Sequence, residues 1–117
     1  MTEPLADWDA VVAFACSLPG VEMAPYYGTP CPKVNGRPFV APSRAEGSFC
    51  LYVAKGEKEI LLETDPDTFW QTGHFLNYPA VLARYGTPSR ERIECYIRRA
   101  WWDRATEADR AAFGERP

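Results

Sequence analysis

The dipeptide Asn35-Gly36 constrains the fold of this chain most, because it separates two short extended runs. Both central residues of a type I′ turn need positive φ, which asparagine and glycine adopt most readily. The pair therefore predicts a tight β-hairpin between strands at 31–35 and 37–42. Proline cannot donate to a strand ladder, so the prolines of these runs place the hairpin at a sheet edge. They are Pro30, Pro32 and Pro38.

A helix is predicted before the hairpin, over residues 5–18, where apolar side chains recur at helical spacing and Pro19-Gly20 ends the pattern. Further strands are predicted at 24–28, 48–54 and 58–63. Residues 48–54 are apolar on both faces, so this strand is expected in the middle of a sheet. The short turns between the strands favour an antiparallel meander. Two of these turns are Ala45-Glu46-Gly47 and Lys55-Gly56-Glu57.

The last third of the chain reads mainly as helix. Asp65 is expected to cap a short helix with Pro66 at its first position, and residues 80–85 form a short strand or turn. Ser89 caps a final long helix over 89–103, after which Thr106 begins one more helical turn and 114–117 fray. The apolar face of the long helix comprises Ile93, Tyr96, Ile97, Ala100 and Trp101. This order of elements predicts one α+β domain, with an N-terminal helix, an antiparallel sheet and C-terminal helices on one face.

The composition indicates a folded globular domain of 117 residues with 46% hydrophobic content. No apolar run is long enough to span a membrane, and the acidic N-terminus lacks signal-peptide features, so we expect a cytoplasmic protein, either a monomer or a weak dimer. Its cysteines show no metal-binding spacing and are expected to be reduced thiols. The net charge of −3 is unlike that of a dedicated nucleic-acid binder, yet residues 24–56 carry four cations against Glu46 alone.

Five landmarks follow one another between Trp8 and Trp101. They are Leu18-Pro19-Gly20-Val21-Glu22; Tyr27-Gly28-Thr29-Pro30 with Lys33-Val34-Asn35-Gly36-Arg37; Phe49-Cys50-Leu51; Asp65-Pro66 with Phe69; and His74-Phe75-Leu76-Asn77-Tyr78-Pro79 before Ala100-Trp101. In this order they resemble the MmcQ/YjbR-like family. The resemblance implies a frataxin-like α+β fold, described as a double wing, and a DNA-binding protein.

On that resemblance we expect binding of double-stranded DNA without sequence preference, through basic β-hairpin wings. The expected contacts are Lys33, Arg37, Arg44 and Lys55, helped by Arg98 and Arg99. Two simpler interpretations remain. For the hairpin cations, charges on edge strands also prevent edge-to-edge pairing. For the arginines of the last helix, the alternative is a solvated face in which Glu94 pairs with Arg98 and Arg98 covers Trp102.

The alternative function is binding of a small ligand or a protein partner in an aromatic groove without DNA binding. Its residues are Tyr27, Trp70, His74 and Tyr78. The lone histidine, His74, has no evident nucleophile or orienting partner, so no catalytic residue is assigned and the protein is not expected to be an enzyme. The carboxylates at 63–67 lack calcium-loop spacing, so no metal or cofactor is expected.

Overall fold

Two antiparallel sheets pack with the helices in this computed structural model, which describes residues 5–26, 28–45 and 47–117. The helices are α1 (Trp8–Ala15), α2 (Lys55–Thr64), α3 (Arg90–Arg104) and α4 (Glu107–Phe113), with a 3-10 turn at Gly73–Phe75. The strands are β1 (Glu22–Tyr26), β2 (Thr29–Val34), β3 (Arg37–Pro38), β4 (Val40–Pro42), β5 (Ser48–Tyr52), β6 (Phe69–Trp70) and β7 (Ala80–Arg84). The strand orders are β1-β2-β3 and β4-β5-β7-β6. The predicted α+β fold, with an N-terminal helix and C-terminal helices, is confirmed.

The predicted hairpin is formed by β2 and β3. Asn35 and Gly36 have φ of 53° and 71°, and Val34 pairs with Arg37 across the turn. The edge position was correct for β3 but wrong for β2, which lies between β1 and β3. Pro32 explains how β2 tolerates this position. It lacks an N–H, so the ladder with β3 stops after Lys33, and the prolines of β2 face only β1.

The strand β5 is the centre of the larger sheet, as its two apolar faces predicted. All five of its residues are buried, and β4 and β7 flank it. Alternate side chains of β5 enter different clusters. Phe49 and Leu51 pack with the helices, whereas Cys50 and Tyr52 belong to a smaller cluster on the opposite face.

The main core lies between the helices and the inner face of the larger sheet, and α1, α2 and α3 all contribute to it. The predicted apolar face of α3 is confirmed, since its five residues are the buried residues of that helix. Trp101 is fully buried, and its indole Nε1 donates to the carbonyl of Pro19 at 2.8 Å. This bond fixes α3 to the segment that follows α1.

The predicted strand at 58–63 is wrong, because residues Lys55–Thr64 form helix α2. The expected turn Lys55-Gly56-Glu57 is the first turn of that helix. The run Ile60-Leu61-Leu62 suggested a strand, but only Leu61 is fully buried and Ile60 is half-exposed, as on a helix that turns one side inward. Glutamate, lysine and leucine, which dominate the segment, favour helix over strand.

The predicted helix start at Asp65-Pro66 is also wrong. Asp65 follows the end of α2, and Phe69–Trp70 form strand β6, which pairs with β7. The aromatic pair fits a pleated ladder better than a helix of one turn. Ser89 does precede α3, but its hydroxyl donates to the Asp65 carboxylate at 2.7 Å instead of capping the helix.

The C-terminal residues, expected to fray, are held by contacts. Arg116 contacts Glu57 at 2.7 Å and Asp103 at 3.1 Å, and Arg99 donates to the carbonyl of Pro117 at 2.8 Å. Hydrogen bonds to Asp103, then to Glu57, raise the pKa of Arg116. Within the described ranges, no helix is long and apolar enough to cross a membrane.

Candidate nucleic-acid interface

Two tyrosines, one from each sheet, meet at the centre of the candidate site. Tyr26 ends β1 and Tyr52 ends β5, and their hydroxyl oxygens lie 2.9 Å apart. Tyr52 is 8% exposed, whereas Tyr26 is half-buried. Burial and the hydrogen bond with Tyr26 raise the pKa of the Tyr52 hydroxyl, so it remains protonated. The hydrogen bond therefore holds the two rings together beneath the side chains around them.

A third tyrosine, Tyr78, extends this aromatic surface toward solvent. Its ring centroid lies 6.1 Å from that of Tyr52 and 6.1 Å from that of Phe75, and the residue is 43% exposed. Lys58 holds the segment that carries it, because the Lys58 Nζ donates to the backbone carbonyls of Phe75 and, at 2.9 Å, of Tyr78. Lys58 is 6% exposed, and this burial lowers its pKa.

Cations lie on both sides of the tyrosine pair. The Nζ of Lys33 lies 5.6 Å from the ring centroid of Tyr26 and donates to the carbonyl of Pro25 at 2.8 Å. The guanidinium of Arg104 lies 5.1 Å from the ring centroid of Tyr52. Both distances are within the range of a cation–π contact.

Arg37 and Arg44 complete this cationic surface, and both are exposed. Burial, and then the charge of Arg37, lower the pKa of Arg104, so the hairpin cation lies near the guanidinium of α3. Arg44 lines an open cleft of about 420 Å³ together with Tyr26. We call this surface the tyrosine–cation face. It comprises Tyr26, Tyr52, Tyr78, Lys33, Arg37, Arg44 and Arg104.

The remaining predicted DNA contacts lie elsewhere or are engaged. Lys55 begins α2, is exposed and lines a second cleft, of about 340 Å³, with Lys58 and Tyr78. Arg98 packs over the ring of Phe14 at 5.1 Å, not over Trp102 as expected. Glu94 bonds Arg90 at 3.0 Å instead of the predicted Arg98.

Arg99 is tied into the structure by an ion pair. Its Nη1 donates to Glu57 at 2.9 Å, and its guanidinium lies 4.7 Å from the ring centroid of Tyr96. Burial opposes its charge, but the hydrogen bond to Glu57 and the negative groups around it together outweigh that effect and raise the pKa of Arg99. Lys33 and Arg44 thus both lie beside Tyr26 and Arg37 lies near Arg104, whereas Arg98 and Arg99 have other partners.

The predicted aromatic groove is not assembled from the described side chains. Trp70 donates its Nε1 to Ser48 at 2.9 Å, at the start of β5, and Arg84 covers its ring at 5.0 Å. Tyr78 lies against Tyr52 at the other end of β5, about 13 Å away by strand rise. Tyr27 and the side chain of His74 lie outside the part of the chain that the structure describes.

Sequence reasoning missed Tyr52 and Arg104 as members of the site. Tyr52 carried a usable signal, since it alternates with the core residues Phe49 and Leu51 and so belongs to the outer face of β5. No pattern in the sequence pointed to Arg104, because its position beside Tyr52 depends on how α3 packs against the sheet.

A comparison with protein-family models, with curated proteins and with solved structures found no match. Among the described residues, no group of three histidine, cysteine or carboxylate side chains lies close enough to hold a metal ion. The chemistry of the tyrosine–cation face is therefore the main basis for assigning a function.

Proposed function

We propose that this protein binds double-stranded DNA without sequence preference, by contacts from Lys33, Arg37 and Arg44 to phosphates. One observation carries the proposal. Lys33 and Arg44 lie beside Tyr26, Arg37 lies near the Arg104 that covers Tyr52, and none of the three forms an ion pair with a carboxylate in the described ranges. Most phosphate contacts fix position on the duplex and read no sequence, which suits flexible cations on exposed turns.

The contrast with other cations supports the proposal. Arg90, Arg99 and Arg116 each bond a carboxylate, so their charge is locally neutralised. Arg37 and Arg44 are exposed and form no ion pair in the described ranges, although the chain as a whole carries −3. A local excess of this kind attracts phosphate even on an acidic protein, since the Debye length at physiological salt is about 8 Å.

The shape of the surface also fits contact with a duplex. Arg37 flanks the exposed Asn35-Gly36 turn, and Arg44 lies in the connection between β4 and β5. Arg44 lines the cleft beside Tyr26 and Thr29, at the start of β2, and Arg37 pairs with Val34 at the other end of that strand, so two turns present cations at its two ends. Cations on two turns are also what the sequence resemblance to the MmcQ/YjbR-like family, with its double wing, leads us to expect.

The test is fluorescence anisotropy of a labelled duplex of about 20 base pairs at low salt. We expect Arg37→Glu/Arg44→Glu to abolish binding. The matched control, Arg92→Glu/Arg98→Glu, makes the same change in net charge on α3, where Arg92 contacts Thr64 and Arg98 contacts Phe14. Equal loss in both double variants would overturn the assignment to the hairpin and leave only a net-charge effect.

A second function, binding of a small ligand, is favoured by one buried atom. The Oε1 of Gln71 is buried without a hydrogen-bond partner among the described residues, and Gln71 lines the cleft of about 340 Å³ beside α2. A buried acceptor without a partner costs about 1–3 kcal/mol, which a ligand N–H or O–H would recover. A thermal-shift screen of small amides tests this function. A compound that stabilises the native chain but not Gln71→Leu supports it, and the absence of any such compound rejects it.

A further inference from the structure

Arg104 is a half-buried charge that forms no ion pair in the described chain. Its guanidinium lies over Tyr52, and the one hydrogen bond it makes within the described residues runs from Nη1 to the carbonyl of Ala100, at 3.1 Å. A guanidinium has five N–H donors, so most of those of Arg104 have no partner among the described residues. The neighbouring carboxylate of Asp103 bonds Arg116 at 3.1 Å and forms no ion pair with Arg104, so its charge only partly offsets the burial of that guanidinium.

A second cation lies beside this one. The carbonyl of Phe39 accepts from the backbone N–H of Tyr52 at 3.2 Å, which brings the end of the β2–β3 hairpin to the strand that Arg104 covers. Arg37 precedes Phe39 by two residues, is exposed and has no ion pair in the described part of the chain. Its charge adds to the effect of burial in lowering the pKa of Arg104. Two cations thus repel each other, and the favourable charge of Asp103 does not outweigh this repulsion and the burial, because the pKa of Arg104 is still lowered.

Tyr78 adds a neutral donor to the same place. Its ring packs against that of Tyr52, and its hydroxyl makes no hydrogen bond to any described residue. Taking a cation out of water without a counter-ion is costly, and the cost falls when an anion with several acceptor oxygens arrives. The arrangement supplies two positive charges and a hydroxyl donor around one position.

We infer that Arg37, Arg104 and Tyr78 form a binding site for a phosphate dianion, either inorganic phosphate or a terminal phosphate monoester. Two guanidinium groups match the double negative charge and can each donate two parallel hydrogen bonds. Each phosphate oxygen accepts more than one hydrogen bond, so the tyrosine hydroxyl can donate to the same group. The site is separable from the DNA-binding face, because it needs Arg104 and Tyr78 and does not need Arg44 or Lys33.

The test is a titration with inorganic phosphate, and in parallel with a nucleoside 5′-monophosphate, followed by tyrosine and tryptophan fluorescence. Sodium chloride at matched ionic strength is the blank. We expect saturable binding that is weakened about tenfold or more, at least about 1.4 kcal/mol, in Arg37→Gln and in Arg104→Gln. The control is Arg110→Gln in α4. This change also removes an arginine from an aromatic ring, in this case the ring of Trp102.

Arg37 is exposed, so Arg37→Gln keeps the test valid even if replacing Arg104 disturbs the packing on Tyr52. A response to phosphate no larger than that to chloride would overturn the site, as would equal affinity in Arg37→Gln and the native chain. The ratio of the two affinities distinguishes free phosphate from a monoester. Phosphate binding that survives Arg44→Glu while duplex binding is lost would support this site independently of the DNA proposal.

Discussion

The hydroxyl oxygens of Tyr26 and Tyr52 lie 2.9 Å apart, and this hydrogen bond joins the two sheets where the cations gather. Lys33 lies on the ring of one tyrosine and Arg104 on the ring of the other. The bond therefore does more than add stability. It fixes the distance between a hairpin cation and a helix cation that come from different parts of the chain.

Removal of that bond gives the first prediction. We expect Tyr26→Phe to lower the free energy of unfolding by about 1 kcal/mol, because Tyr52 is buried and loses its partner. Urea denaturation followed by circular dichroism measures it. The control is Tyr78→Phe, whose hydroxyl bonds no described residue and whose loss is expected to cost less than about 0.5 kcal/mol. Equal effects of the two changes would contradict a role for the Tyr26–Tyr52 bond.

Glu57 gives the second prediction, because its carboxylate accepts from both Arg99 and Arg116. We expect Glu57→Gln to destabilise the fold by about 1 kcal/mol, since both arginines remain partly exposed and are screened by water. Glu59→Gln on the same helix is the control, being exposed and without an ion pair in the described ranges. The difference between the two variants should shrink in high salt, and a difference that grows would contradict the ion-pair interpretation.

The buried thiols give a prediction for alkaline pH. Burial raises the pKa of Cys31 from 9.0 to about 11 and that of Cys50 from 9.0 to about 12. Below pH 9 both thiols are protonated in the folded and unfolded chains, so they add no pH dependence. Above pH 9 these two thiols lose their protons in the unfolded chain but keep them in the folded chain. The free energy of unfolding therefore falls as pH rises.

Urea denaturation at a series of pH values from neutral upward measures this slope. Cys50→Ala should make it shallower above pH 9, whereas Cys16→Ala, at an exposed thiol, should leave it unchanged. An unaltered slope in Cys50→Ala would show that this thiol does not titrate differently in the two states.

Trp101 gives a prediction for the packing of α3. In Trp101→Phe the carbonyl of Pro19 loses its donor inside the core, so we expect a loss of about 1–3 kcal/mol before any cavity cost is added. Thermal unfolding measures the loss. Trp102→Phe is the control, at a half-buried neighbour on the same helix. A loss in Trp102→Phe as large as in Trp101→Phe would contradict the importance of the Pro19 contact.

Features set by neighbouring residues were predictable from the sequence. The Asn35-Gly36 hairpin follows from two backbone conformations, and the buried face of α3 follows from its apolar spacing. The segment 58–63 was misread because a short apolar run looks alike in a buried strand and in a helix. Its true state depends on the sheet against which Leu61 packs.

The site was only partly predictable, for a related reason. Lys33, Arg37 and Arg44 lie close in sequence and were found as one group. The contact between Tyr52 and Arg104 joins residues that are far apart in the chain, so only tertiary packing reveals it. Arg98 and Arg99 were grouped with the hairpin cations by charge alone, and their contacts with Phe14 and Glu57 use them elsewhere.

The salt dependence of duplex binding tests the central claim most directly. Three phosphate contacts, from Lys33, Arg37 and Arg44, predict that the logarithm of the association constant falls with the logarithm of salt concentration with a slope of about −2.7. Arg44→Gln should reduce its magnitude by about 0.9, to about −1.8. No binding at low salt, or the same slope in the native chain and in Arg44→Gln, would contradict phosphate contact through the tyrosine–cation face.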